Sequence, residues 1–139
     1  MRPITSALAA VAVVLAVALS AAAQPAATYK TGGEFYVAYR AAFIKAKAID
    51  ELLPWMAKAR RDQVAKTPAD ERSMMFDLMK EMDDNENIKV VKETPKGEGA
   101  ELQVEAISKG SRTKSTATIS LVKEGGAWKL DKESWKGSM

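Results

Sequence analysis

The sequence predicts an α+β protein in which three N-terminal helices pack on a curved four-stranded antiparallel sheet. Three observations carry that expectation. Apolar positions at helical spacing, with capping signals, occupy residues 33–82; period-two alternation occupies residues 88–135; and short turns join the strand-like runs. Connections that short suit consecutive antiparallel neighbours, so the strands are expected as a meander. Helices gathered ahead of such a sheet cover one of its faces.

The 139 residues divide into parts before any folding argument begins. Residues 1–23 read as a secretory signal peptide, with Arg2 as the positive start, Ala7–Leu19 as the apolar run and Ala21-Ala22-Ala23 as a small-residue cleavage site. That run is shorter than the ~20 residues a spanning helix requires. The mature chain is therefore expected to be periplasmic or secreted, with no membrane span after cleavage. Residues 24–32 read as a flexible lead and residues 33–136 as one domain. Cysteine is absent, which removes disulfides and a lipidated cysteine alike. Setting aside Arg2 leaves 20 Lys+Arg against 18 Asp+Glu, a net charge of +2. Signs alternate along the chain, as in Lys58-Ala59-Arg60-Arg61-Asp62, so nucleic acid is not an expected partner.

The first helix is expected from a capping box, Thr31-Gly32-Gly33-Glu34, to about Lys47. Phe35, Tyr39, Ala42, Phe43 and Ala46 share one face of it, with Tyr36 and Arg40 off that stripe. A second helix is expected from Asp50 as N-cap, with Pro54 in its first turn and Trp55, Met56 and Ala59 buried. The third starts at Thr67-Pro68-Ala69-Asp70-Glu71, with Thr67 as N-cap, Pro68 at the first helical position and acids facing the positive end of the dipole. Met75, Leu78, Met79 and Met82 form its apolar stripe.

Strands then follow at Ile88–Glu93, Ala100–Ser108 and through the hairpin Thr116–Trp135. Leu102, Val104 and Ala106 point inward and Glu101, Gln103 and Glu105 to water; in the next strand Ala117, Ile119 and Leu121 point inward. Gly125-Gly126 reverses the chain, since paired glycines accept positive φ without a Cβ penalty. Trp128 and Leu130 resume the inner face with Lys129 and Asp131 opposite. Trp128 is expected as the core anchor, where truncation to Ala costs ~3–5 kcal/mol.

The run Lys-Glu-Gly-Gly-x-Trp-Lys-hydrophobic-Asp, followed by a further Trp, resembles the last hairpin of the nuclear transport factor 2-like (cystatin-like cone) superfamily, and within it small exported domains of unknown function. The resemblance covers roughly Gly33–Trp135. It implies a helix lying across a curved sheet, a cone whose mouth admits a small apolar molecule, and an open sheet face suited to a homodimer contact. On that shape Tyr39, Phe43, Trp55, Met79 and Trp128 are the expected ligand-binding lining, unless these side chains fill the cone themselves.

Catalytic signals are sparse. Histidine is absent together with cysteine, which removes Ser–His and Cys–His nucleophilic machinery and the usual zinc and copper(II) ligand sets. The cluster Met56, Met74, Met75, Met79 and Met82 reads as adaptable core filler rather than a copper(I) site. Asp83-Asp84-Asn85-Glu86 lacks the spacing of a calcium loop. A steroid isomerase of the superfamily uses an Asp base with Tyr and Asp donors; here the strand-borne acids are expected to face outward. No metal, no cofactor and no catalytic residue is therefore expected. The expected function is that of an exported, non-enzymatic protein binding a small apolar ligand or a protein partner. The alternatives are an accessory protein dimerising through its sheet face and, third, a small isomerase- or dehydratase-like enzyme.

Overall fold

A computed structural model describes residues 29–137; the expected leader and residues 24–28 of the lead lie outside them. The order is α1 (Gly32–Lys45), a 3₁₀ segment (Ile49–Trp55), α2 (Lys58–Lys66), α3 (Ala69–Met82), β1 (Asn85–Lys96), β2 (Gly99–Ser108), β3 (Lys114–Glu124) and β4 (Ala127–Gly137). The strands form one antiparallel sheet in the order β1-β2-β3-β4. The fold is thus α+β with an open four-stranded antiparallel sheet. Its described helical part comprises four segments rather than three. No described helix is long and apolar enough to cross a membrane.

α1 crosses the sheet and buries Phe35, Tyr36, Tyr39, Arg40 and Phe43. Tyr36 and Arg40, placed off the apolar stripe by spacing alone, are in fact buried. Two devices cap its N-terminus. Thr31 Oγ1 accepts from the Glu34 N–H at 3.1 Å. Glu93 of β1 accepts from the N–H groups of Gly32 and Gly33 at 3.0 and 2.9 Å, one on each carboxylate oxygen. The negative charge sits against the positive end of the helix dipole. At the other end, Lys80 Nζ of α3 donates to the carbonyls of Phe43 and Ile44 at 2.7 and 2.8 Å.

The single second helix expected from Asp50 is interrupted. Pro54 disfavours α geometry in the residue before it, and Ile49–Trp55 winds as 3₁₀ from Ala48, not Asp50. Met56 and Ala57 then run extended beside β4. Met56 makes a parallel bridge to Leu130, and the Ala57 N–H donates to the Leu130 carbonyl at 2.8 Å. α2 starts afresh, its first N–H donated by Lys58 to Glu124 Oε2 at 2.8 Å.

α3 also departs from expectation. Thr67 caps nothing at its start; its hydroxyl donates back to the Gln63 carbonyl at 3.1 Å, and Pro68 occupies the N-cap position. The helix meets the body through Phe76, edge-to-face on Phe43 with centroids 6.1 Å apart. The methionine stripe points elsewhere: Met74, Met75, Leu78 and Met82 are exposed.

The middle of the sheet follows its period of two. Leu102, Val104 and Ala106 in β2 and Ala117, Ile119 and Leu121 in β3 are buried under the helices. Three bulges interrupt the outer strands, two in β1, the first of them between Glu86 and Lys89, and one in β4. In β1, Val90 pairs with Val104 but Lys92 with Gln103, so Val91 is supernumerary. In β4, Leu130 pairs with Leu121 but Lys132 with Ser120, so Asp131 is supernumerary. An extra residue moves every later side chain to the opposite face. Glu93 thereby lies opposite Leu102, and Glu133 opposite Ile119, on the helix-covered side. These strand acids face inward, against expectation.

Trp128 is half-buried at the rim rather than an anchor of the core. Its indole Nε1 donates to the Tyr29 carbonyl at 3.2 Å, and the Lys123 ammonium lies 4.6 Å from its ring. Ala117, Ile119, Leu121 and Leu130 are the buried residues of this hairpin.

Candidate functional site

The five residues expected to line a cone occupy two different settings. Tyr39 and Phe43 are buried, and Trp55, Met79 and Trp128 are partly covered. Tyr39 packs at 6.2 Å from Trp55 and 6.4 Å from Phe43, so the interior under α1 is filled by rings in mutual contact. Tyr29 and Phe35 close the same cluster at 6.3 and 5.6 Å from Trp55. Phe43 and Met79 reach beyond it, to a cleft between α1, the end of α3 and β4.

That cleft has a volume of about 390 Å³ and is bordered by Arg40, Phe43, Met79, Met82, Asp83, Asn85, Glu133 and Trp135. Three elements build it. Helical spacing brings Tyr36, Arg40 and Phe43 to one side of α1. Asp83 is the residue at which α3 ends. The bulge at Asp131 turns Glu133 and Trp135 inward.

Arg40 lies at its base with its side chain 7 % exposed. One terminal nitrogen donates to Asp83 Oδ1 at 2.7 Å, and the other lies 4.0 Å from Glu133 Oε2. Its guanidinium carbon is 5.2 Å from the Phe43 ring and 5.7 Å from the Trp135 ring, within cation–π range of both. Its Nε has no hydrogen-bond partner among the described residues. Burial alone would lower the Arg40 pKa. The bond to Asp83, with the charge interactions of Tyr36, Asp83 and Glu133, raises it instead, so the guanidinium stays charged.

Glu133 Oε2 is heavily engaged. It accepts from the Tyr36 hydroxyl at 2.5 Å and from Trp135 Nε1 at 3.3 Å. Burial, then the Glu133 charge and hydrogen bond, push the Tyr36 phenol far above its ordinary range. Tyr39 is raised as well, chiefly by burial and then by Glu133. Both phenols are therefore donors at neutral pH. Chemically the cleft offers an apolar wall of Phe43, Met79, Met82 and Trp135 over a fixed ion cluster with one cation and two carboxylates. Among the described residues, no three acids come together as a metal site.

Sequence spacing found Phe43 and Met79 but missed Arg40, Glu133 and Trp135. Arg40 follows Tyr36 by four residues, a signal that an apolar-stripe reading passes over. No local pattern marks the bulge that brings in the other two. No family model, no curated protein and no solved structure matches the chain.

Proposed function

We propose that this chain is an exported, non-enzymatic binding protein, periplasmic or secreted, which takes a small apolar ligand into the cleft between α1, α3 and β4. One observation carries the reading. Met82 is 72 % exposed at the mouth of a cleft walled by Phe43, Met79 and Trp135, so oily surface is left open beside a rigid ion cluster. Methionine suits such a wall because its unbranched thioether adapts to different ligand shapes. Of the five lining residues named from the sequence, Phe43 and Met79 support this reading; Tyr39 packs against Phe43 without bordering the cleft, and Trp55 and Trp128 do not border it.

The exposed Met74, Met75 and Leu78 favour a second reading, a protein partner laid along α3. Membership of the nuclear transport factor 2-like cone superfamily belongs to the proposal too. It is supported by helices preceding a four-stranded antiparallel meander, with the 3₁₀ segment and α2 counted as one interrupted second helix.

Native mass spectrometry of the protein purified from its own host tests the ligand directly, through a retained small-molecule mass. The double variant Met79→Gln, Met82→Gln should lose that mass and bind apolar fluorescent probes at least about ten-fold more weakly, since two apolar thioethers of the cleft wall are replaced by amides. Unchanged probe binding by a folded variant would move the ligand elsewhere.

A further inference from the structure

The uncovered face of the sheet collects positive charge that the linear sequence disperses. Register fixes which side chains share it. Glu101, Gln103 and Glu105 alternate with the buried residues of β2 and point away from the helices. Lys89 stands opposite Glu105, Lys92 opposite Gln103 and Lys96 opposite Gly99. Lys114 stands opposite Ile107. Across the sheet, Lys136 pairs with Thr116 and Lys132 with Ser120. All six lysines are exposed. Six lysines against three glutamates, Glu86 opposite Ile107 being the third, is an excess of three, equal to the +3 of the entire chain.

The charge has a pattern. Glu101 and Glu105 are engaged by Lys96 and Lys114 at 3.4 and 3.3 Å. Lys89, Lys92, Lys132 and Lys136 have no carboxylate partner among the described residues. They form two rails, one on each edge strand, separated by three strand spacings or ~14 Å. The floor between the rails holds Gln103, Thr116, Thr118 and Ser120, hydroxyl and amide groups that donate and accept hydrogen bonds, together with Glu101 and Glu105, whose charges Lys96 and Lys114 offset.

We propose that this face binds an acidic polysaccharide, with the lysine rails pairing to carboxylate or sulfate groups and the floor meeting sugar hydroxyls. Unpaired lysines in rows attract polyanions of this kind. A single-stranded nucleic acid fits less well, because no aromatic side chain stands among these rows to stack on a base. An anionic bilayer fits less well too, because its adsorption calls for an apolar wedge that the Thr-, Ser- and Gln-bearing floor does not supply. The surface lies on the opposite side of the sheet from the cleft, so the two can be tested apart.

The test titrates the full chain with oligogalacturonate, with neutral dextran and oligo-dT of similar length in parallel, following backbone amide shifts by NMR. The expected result is binding of oligogalacturonate but not dextran, weakened by salt, with shifts confined to the outward positions of β1–β4. The variant Lys89→Gln, Lys92→Gln, Lys132→Gln, Lys136→Gln should keep its circular dichroism and melting temperature while binding about ten-fold or more weakly. Equal binding by that variant, shifts centred on the helices, or tighter binding of oligo-dT would overturn the assignment. So would self-association through this face that excludes the oligosaccharide.

Discussion

Tyr36 is where burial and charge meet most closely. Its hydroxyl donates to Glu133 at 2.5 Å, and a hydrogen bond to a charged group contributes about 1.5–3 kcal/mol. Tyr36→Phe should lower stability by about that amount in urea unfolding at pH 7. The pH dependence has a definite sign. Tyr36 and Tyr39 have folded-state pKa values raised above the ordinary 10.0. Below pH 10 both are protonated in either state and their contribution is intact. Above it the unfolded chain releases protons that the folded protein retains, so stability falls as pH rises. Urea midpoints between pH 9 and 11 should decline in the parent and decline less steeply in Tyr36→Phe; parallel slopes would show that the phenol is not held in its neutral form. None of this was legible from spacing, which put Tyr36 outside the apolar stripe. A helix lying across a sheet buries a wider arc than a single stripe, and Arg40 fills part of that arc with charge.

Elements, taken singly, show what a one-residue insertion does to a strand. The inward residues of β2 and β3 were readable because nothing interrupts their pairing with each other. β4 was readable only as far as Leu130. Deleting Asp131 takes out the supernumerary residue but keeps Lys132 opposite Ser120 and Glu133 opposite Ile119, so Glu133 should still reach Arg40, whereas Glu133→Ala removes that carboxylate outright. Breaking a buried ion cluster costs about 3–5 kcal/mol, which would consume most of a small domain's stability. The Asp131 deletion should therefore melt much nearer the parent temperature than Glu133→Ala, and thermal melts of the two variants check it; equal losses would show that the bulge residue is itself needed to place Glu133. The start of α3 supplies the contrary case. Thr67 looked like a helix cap worth ~1 kcal/mol, yet its hydroxyl closes the end of α2 at an exposed site. Thr67→Ala should therefore cost less than ~0.5 kcal/mol in urea titration. A loss near the full cap value would restore Thr67 to the start of α3. Pro54 and the apolar stripe of α3 misled for a related reason. Local signals announced helix, but pairing of Met56 and Ala57 with Leu130, and the contact of Phe76 with Phe43, decided where each segment lay.

For the molecule as a whole, the sheet and its covering of helices were legible, whereas the cleft and the lysine rails were not. The layer arrangement rests on periodicity, which any window of sequence displays. The cleft joins residues from position 40 to position 135, and the rails join β1 to β4; both depend on register, which no window holds. Net charge near neutrality also concealed a molecule with distinct faces. One feature of the rim bears on how the protein is produced and handled. Tyr29 is clasped by Trp128 through its carbonyl and by Phe35 and Trp55 through its ring. An aminopeptidase that reaches Tyr29 meets a residue held at both its carbonyl and its ring. Trimming one residue further would strip the indole of its acceptor and unlatch the rim.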